Sequence, residues 1–240
     1  MSELSARFLC GALSLAAWLM LVAPAQADIR EYSLPSFERI YLHGSAQVHL
    51  QQRREGDAPV LVKGVQTLLD KLSMESVDGV LYIDTGDFND ANAADLVIQL
   101  PVAELKEVVS QGGSVVIAEG LSLAELTLEG HGLGRFELHH LRLDDLTVIG
   151  RGATQFNLSG ETENQVVELA GVGRYQAAHL LSRNSQVLVS GAGDVDVWVE
   201  DILDVSILGS ARLRYAGTPW VMQKILGAGD IARHRVADYE

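Results

Sequence analysis

The chain has 240 residues, of which 48% are hydrophobic and 21% are charged, and its formal net charge is −14. This length and apolar content allow one domain with a sizeable core or two small domains. The acidic balance argues against binding to nucleic acid or to an anionic membrane surface, because both require a basic protein surface. Solubility is the simplest explanation of the acidity.

The N-terminal segment has the features of a secretory signal peptide. A basic residue, Arg7, precedes the apolar run Phe8–Val22, and a small-x-small site follows at Ala25–Ala27. The apolar run is too short to span a bilayer comfortably, and a retained anchor is the alternative. We predict cleavage of residues 1–27, no membrane span in the mature chain, and a location in the periplasm or at the cell surface.

The predicted mature chain, residues 28–240, lacks cysteine, because Cys10 is the single cysteine of the sequence. An exported protein without disulfides has to be stabilised by a hydrophobic core of its own. No Pro/Ser-rich linker marks a boundary, so we expect a single domain with a capping part at 28–105 and regular coils at 106–240.

The first part, residues 28–105, has strand-like patterns without a strict period. In chain order, the patterns predict a repeat-like unit at Phe37–Gln51, a strand at Pro59–Gly64, a short helix at Val65–Leu72, a strand at Gly79–Gly86, a polar loop at Gly86–Asp95 and a strand at Leu96–Pro101. The ends of stacked repeats need covering, and we expect this part to cover the first coils.

In the second part, glycine recurs at steps of 18–20 residues. The series is Gly112, Gly132, Gly152, Gly171, Gly191, Gly209 and Gly227, and Gly44 carries the same pattern upstream. Such self-similarity is the mark of a repeat architecture.

Apolar residues occupy fixed positions around these glycines. Four residues after each glycine stand Val48, Val116, Phe136, Phe156, Tyr175, Val195, Leu213 and Ile231. Four residues before each glycine stand Ile40, Val108, Leu128, Val148, Val167, Val187 and Val205, and Gln223 breaks this column in the last repeat. Alternation with a period of two on both sides of a glycine is typical of two short strands joined by a corner.

No single repeat can bury its own apolar face, so the repeats have to stack. We predict an all-β fold, a parallel β-helix or β-solenoid with coils of about 18–20 residues stacked at the strand spacing of about 4.8 Å. Glycine at the corner permits positive φ and close approach of successive coils. The stretch SGAGDVDVWV, Ser190–Val199, is then a corner followed by a strand.

Charged residues on the outward positions alternate in sign from coil to coil. Three residues after the glycine, successive repeats carry Arg174, Asp194, Arg212 and Asp230, and five residues after it Asp196 is followed by Arg214. Stacking would place opposite charges side by side. Each exposed pair contributes less than about 1 kcal/mol, so we expect the ladder to fix register more than stability.

The segments FERIYLHGSAQVHL, VDGVLYID and LVIQLP, followed by repeated Ser-Gly-x-Gly corners, resemble the bacterial putative auto-transporter adhesin head (GIN) domain family of exported envelope proteins. The resemblance covers roughly Phe37 to Ile231. It implies a right-handed, mostly β-helical fold in the periplasm or at the cell surface. The family's adhesin label is an analogy drawn from shape, and the resemblance assigns no catalytic, cofactor-binding or metal-binding residues.

Motifs for ion and phosphate binding fit the sequence poorly. A calcium-binding β-roll repeats aspartate at every turn, whereas only Asp194 and Asp230 follow the second corner glycine here. The glycine-rich stretch Gly130–Phe136 lacks the lysine of a P-loop. His139 and His140 are adjacent on a predicted strand, so their side chains cannot converge on a metal unless a turn intervenes, and the pair favours no metal site.

The residues of a sugar-cleaving site are also dispersed. Glu137 and Asp196 share an outward column but stand about three coils, or 14 Å, apart, which is too far for paired catalysis. Trp198 and Trp220 could stack on a sugar, although aromatic side chains that cover a coil edge are the simpler interpretation.

Our first functional hypothesis is a non-enzymatic exported envelope protein, an adhesin-like binding or scaffold β-helix whose partner is an envelope protein or glycan and which needs no cofactor. The alternative is a carbohydrate-binding or carbohydrate-active β-helix protein. A tryptophan beside clustered carboxylates in a groove would favour the alternative, whereas a ladder of compensated charges with no groove would favour the first. A role in envelope stress signalling is a third, weaker hypothesis.

Overall fold

The computed structural model describes residues 27–53, 59–86 and 95–234. In these ranges the chain is a β-solenoid of about six turns. The strands are β1 (Asp28–Tyr32), β2 (Arg39–Gly44), β3 (Gln47–Gln52), β4 (Val60–Gly64), β5 (Ser73–Val77), β6 (Val80–Asp84), β7 (Val97–Val102), β8 (Glu107–Gly112), β9 (Val115–Glu119), β10 (Ser122–Gly132), β11 (Arg135–Gly152), β12 (Gln155–Val189), β13 (Ala192–Ile207), β14 (Ser210–Ala216), β15 (Trp220–Ile225) and β16 (Ala228–Arg233), and the helix is α1 (Gln66–Leu69).

The regular coils stack as parallel strands whose corner glycines align. Gly44 pairs in register with Gly112, Gly112 with Gly132, and Gly132 with Gly152. The long strands β11, β12 and β13 continue round more than one side of the coil, and each pairs with the next along most of its length. The predicted solenoid is therefore confirmed, and so is the prediction for Ser190–Val199, since β13 begins directly after Gly191.

The first coils do not stack in chain order. The coil formed by β2 and β3 pairs on one side with β8 and β9. On its other side it pairs with β6 and β7, which come later in the chain than β2 and β3. The chain thus builds its second coil first, then the outermost coil, and then crosses back to continue the stack.

Antiparallel strands and the short helix lie against the outermost coil. β5 pairs with β6, and β4 pairs with β7 and with β1, in each case antiparallel. In α1, Leu68 and Leu69 are buried, and the guanidinium of Arg30 on β1 donates to the Leu69 carbonyl at 2.8 Å. This arrangement breaks the parallel pattern at one end of the solenoid.

Most elements expected between residues 28 and 105 are present. Those predicted at Pro59–Gly64, Gly79–Gly86 and Leu96–Pro101 are β4, β6 and β7, and the predicted helix at Val65–Leu72 is the shorter α1. The strands β1 and β5 were not predicted, because neither shows enough apolar alternation. The loop predicted at Gly86–Asp95 lies mostly outside the described residues, as does nearly all of the predicted signal peptide.

The column four residues after each glycine forms one buried file along the solenoid. Its members from Val48 to Leu213 are 0–1% exposed, and Ile231 in the last coil is partly buried. Phe136 and Phe156 stack with ring centroids 4.9 Å apart, and Phe156 and Tyr175 follow at 6.4 Å. Offset aromatic contacts at these distances add to the stabilisation from burial.

A buried hydrogen-bond network satisfies the one hydroxyl in this file, and the sequence pattern did not predict it. The Tyr175 hydroxyl donates to Gln165 Oε1 at 2.8 Å, and Gln165 Nε2 donates to Ser182 Oγ at 2.7 Å. Ser182 in turn donates to the Trp198 carbonyl at 2.9 Å. Complete burial raises the pKa of Tyr175, so the phenol stays protonated and remains a donor.

Replacing Phe156 by alanine should destabilise the protein by about 3–5 kcal/mol, because the ring is fully buried between Phe136 and Tyr175. Urea unfolding followed by circular dichroism measures the change. Asn157→Ala is the matched control, since Asn157 is the next residue and is exposed. Equal losses of stability in the two variants would contradict a packed file at this position.

Candidate functional site

The corner glycines are required for two different physical reasons. Gly152 has a φ of +127°, a backbone conformation that residues with a side chain rarely adopt. Gly191 has no such φ. However, a Cβ atom placed on it would lie less than 3.0 Å from the carbonyl oxygen of Gly171 in the preceding coil, which is too close for two non-bonded atoms. The expectation of positive φ is therefore right for the earlier corners, whereas close approach selects glycine at the later ones.

An open groove of about 920 Å³ follows this corner along the last five coils. We name it the corner groove. Its lining consists of the corner glycine Gly227 and of the three residues that follow each of the last five corner glycines: Ala153, Thr154, Gln155, Val172, Gly173, Arg174, Ala192, Gly193, Asp194, Ser210, Ala211, Arg212, Ala228, Gly229 and Asp230. Five coils at strand spacing give the groove a length of roughly 19 Å.

The floor of the corner groove consists of small side chains and backbone. The first two positions after each glycine are glycine, alanine, serine or threonine, except for Val172, which is 69% exposed. Small residues at a concave corner leave space that larger side chains would fill. The groove is therefore a direct consequence of the repeat sequence.

The wall of the corner groove is the predicted charge ladder. Arg174 pairs in register with Asp194, Asp194 with Arg212, and Arg212 with Asp230. Arg212 Nη1 lies 3.6 Å from Asp194 Oδ1, and both side chains are substantially exposed. The ladder presents both signs of charge to anything that enters the groove and adds little to stability.

One carboxylate of the predicted ladder, Asp196, is buried rather than exposed, which corrects the sequence interpretation, whereas its partner Arg214 stays partly exposed. Arg214 contacts Asp196 through two bonds, Nε to Oδ1 at 2.5 Å and Nη2 to Oδ2 at 2.6 Å, and the Asp196 side chain is only 5% exposed. Period-two alternation placed this residue outward, but the neighbouring coil covers it. A two-bond guanidinium–carboxylate pair of this kind is geometrically specific.

A second cavity, of about 630 Å³, lies at the same corner in the earlier coils. Its lining includes His43, Gln111 and His131 from three stacked coils, and the exposed side chain of Leu133. His131 Nε2 lies 2.9 Å from Glu129 Oε1, and Arg151 contacts the same carboxylate. The imidazole of His131 therefore shares the Glu129 carboxylate with Arg151.

The adjacent histidines have separate partners. His139 Nδ1 lies 3.2 Å from Ser159 Oγ, whereas His140 Nδ1 lies 2.5 Å from Glu119 Oε1. His140 has a φ of +54°, so a bend intervenes between the two side chains. Across residues 27–53, 59–86 and 95–234, no three His, Cys, Asp or Glu side chains come together as a metal site would require.

Neither candidate tryptophan lines the corner groove. Trp198 is partly buried beside Gly217, and Trp220 is 76% exposed on β15 in the last coil. Glu137 and Asp196 are separated by the coils that carry Asn157 and Gln176, as the column predicted. The groove thus combines compensated charges with a floor of small residues. The charge ladder expected under the first functional hypothesis is present, but it lines a groove, which that hypothesis did not expect. The tryptophan expected under the alternative does not line the groove.

A family model described as "Putative auto-transporter adhesin, head GIN domain" matches residues 36–219. The chain belongs to this family. The resemblance seen in the sequence is therefore confirmed, and the match ends before the last coil, which begins at Trp220.

Three solved structures have a similar fold. A putative adhesin from Bacteroides fragilis has a TM-score of 0.80 at 19% identity, covering 88% of this chain and 98% of its own. A putative lipid binding protein from Parabacteroides distasonis has a TM-score of 0.67 at 21% identity, covering 87% and 97%. A putative adhesin from Parabacteroides merdae has a TM-score of 0.57 at 18% identity, covering 87% and 96%. These similarities show the fold.

The search of curated proteins found no match. In the part of the GIN-domain chain that the structure describes, no helix has the length and apolar character needed to cross a membrane.

Gly191→Ala should destabilise the GIN-domain protein by about 3 kcal/mol or more, because the added methyl group meets the Gly171 carbonyl of the neighbouring coil. Urea unfolding measures the loss. Gly120→Ala is the control that separates backbone strain from steric overlap, because Gly120 has a φ of +70° but open space around it. We expect Gly120→Ala to lower the free energy of unfolding by about 1 kcal/mol. A Gly191→Ala variant as stable as Gly120→Ala would contradict the close approach of the coils.

Asp196→Asn should cost about 2 kcal/mol, because it leaves the Arg214 guanidinium without its buried carboxylate partner. Asp194→Asn, two residues away in the exposed ladder, should change stability by less than about 1 kcal/mol. Thermal unfolding of both variants makes the comparison. Equal stabilities would show that the Asp196 pair contributes no more than an exposed one.

Proposed function

We propose that this GIN-domain protein is a non-enzymatic exported envelope protein whose solenoid is an adhesin-like binding scaffold. The corner groove is its binding surface. The single observation that carries the proposal is that the groove runs unbroken over five coils, with a small-residue floor and a wall of alternating charges.

The shape of the corner groove suits an extended ligand. Equivalent positions recur once per coil, at intervals of about 4.8 Å, with small residues along the floor and charges of alternating sign along the wall. The alternating arginine and aspartate side chains can form ion pairs or hydrogen bonds with a ligand of mixed polarity. An extended segment of an envelope protein, or a linear glycan, matches this surface.

The ionisable groups of the groove are positioned for binding rather than for chemistry. Arg212 and Asp194 face each other across coils, and each carboxylate of the wall alternates with a guanidinium. Paired acid and base catalysis on a sugar would instead need two carboxylates facing one bond. The charge pattern therefore supports a binding role.

Export and domain organisation complete the proposal. We propose that residues 1–27 are removed and that the mature protein resides in the periplasm or at the cell surface, as its family name suggests. We further propose that residues 28–240 act as one solenoid domain in which 28–105 cap the regular coils.

A role in binding glycans is the second candidate function. The open groove with polar side chains favours it, whereas the position of Trp198 and Trp220 outside the groove does not. One structural neighbour is named a putative lipid binding protein, so lipids belong among the ligands to be screened.

The experiment is a glycan and lipid array together with an envelope-extract pull-down, using the chain from Asp28. Ala153→Trp and Ala192→Trp each fill the groove from an exposed floor position, and we expect either to weaken binding at least about tenfold. Gln186→Trp, exposed on another side of the coil, is the matched control and should bind normally. Binding that survives both groove variants would exclude the corner groove as the site.

A further inference from the structure

The two ends of the solenoid are finished differently. At the first end, the inward residues of the outermost coil are 0–1% exposed: Leu81, Ile83, Ile98 and Leu100. At the other end, β15 pairs only with β13 and β16 only with β14, so among the described residues each leaves one strand edge open. An open edge presents unpaired backbone N–H and C=O groups.

Large apolar side chains are concentrated at this open end. Trp220 is 76% exposed, Leu226 66% and Met222 46%. Ile225 is 39% exposed, whereas Ile207, its register partner in the preceding coil, is fully buried. The last coil therefore exposes one residue that the repeat normally hides, Ile225, beside apolar residues at outward positions. An open edge flanked by such a patch marks an interaction surface.

A binding partner that covers the open end of the solenoid has to supply both backbone hydrogen bonds and apolar contacts. Water satisfies the strand edge but leaves the apolar side chains exposed, and a lipid surface does the reverse. A partner that contributes strands satisfies both, because each added strand pairs with the edge and extends the core.

The charges of the last coil indicate which kind of partner fits the open edge. Lys224 lies three residues before the corner glycine Gly227, and Asp230 lies three residues after it. Both are exposed and occupy outward positions on β15 and β16. A surface that carries both signs, placed symmetrically about one corner, is complementary to itself.

We propose that a second copy of this chain docks end to end on the open coil, about a two-fold axis through the Gly227 corner. β15 runs towards that corner and β16 runs away from it. The rotation therefore places β16 of the second copy antiparallel to β15, and β15 of the second copy antiparallel to β16. With residues equidistant from Gly227 opposite each other, residues 221–225 of β15 face residues 229–233 of β16, so five of the six residues of each strand are paired.

The register follows from the alternation of side chains. Residues equidistant from Gly227 lie opposite each other, which puts Lys224 opposite Asp230 of the second copy and Met222 opposite Ala232. Inward residues also meet inward residues, with Ile225 opposite Gly229. A shift by one residue would set inward against outward positions, and a shift by two would separate the opposite charges.

The interface continues the main features of the solenoid. The buried file that ends at Leu213 and Ile231 runs on into the second copy, and the two corner grooves meet at the axis. Asp230 also lines the corner groove. This inference does not depend on what the groove binds, because its test measures self-association, whereas the groove tests measure ligand binding with substitutions in earlier coils.

The experiment is sedimentation equilibrium on the chain from Asp28, the start of the first strand. We expect a dimer. We expect Lys224→Glu and Asp230→Lys each to raise the Kd of this dimer about tenfold, because the two-fold axis creates the contact between residues 224 and 230 twice and each substitution places like charges in both copies of it. The double variant Lys224→Glu/Asp230→Lys should restore the wild-type Kd. Lys63→Glu, on β4 at the other end, makes the same charge change and should leave the Kd unaltered.

Three results would overturn the proposal. The first is a wild-type monomer at about 100 μM, including one in which the chain's own C-terminal residues cover the edge. The second is a dimer that the single swaps leave intact, which would place the interface elsewhere. The third is a double variant that fails to recover while circular dichroism shows it folded, which would exclude the register.

Discussion

Backbone contact between successive corner glycines is the constraint on which this solenoid depends. Coils can stack at strand spacing only if the chain turns without a side chain on the side that faces the preceding coil. A Cβ atom on Gly191, Gly209 or Gly227 would overlap the carbonyl of the glycine one coil earlier. The turn thereby fixes the register, and the register brings the apolar residues four positions away into one buried file.

The same constraint creates the corner groove. Glycine at the turn and small residues directly after it leave a concave path along the solenoid, and the outward residue three positions after each glycine forms its wall. Stacking brings opposite charges together in this wall, so the alternation that prevents repulsion between coils also gives the groove its chemistry. Structure and the proposed binding role are therefore properties of one repeated stretch of sequence.

Stacked repeats leave two ends, and the chain treats them differently. At one end it returns on itself, with antiparallel β4 and β5 and the buried leucines of α1 beside the outermost coil. At the other end the last described strands are β15 and β16, where Gln223 replaces an apolar residue and Trp220 faces solvent. An uncovered strand edge beside exposed apolar side chains is costly in water, which is why this end carries the proposed contact between copies.

The sequence by itself determined the coil, the glycine corner, the buried file and the charge ladder, because each depends on residues a fixed number of positions apart. Family membership followed from the same segments. Only the tertiary structure decided that β6–β7 lies outside β2–β3, that Asp196 is buried, and that Tyr175 meets Gln165 and Ser182. These features depend on which coils become neighbours in space and on how side chains from different coils cover one another, and a period read along one chain does not contain that information.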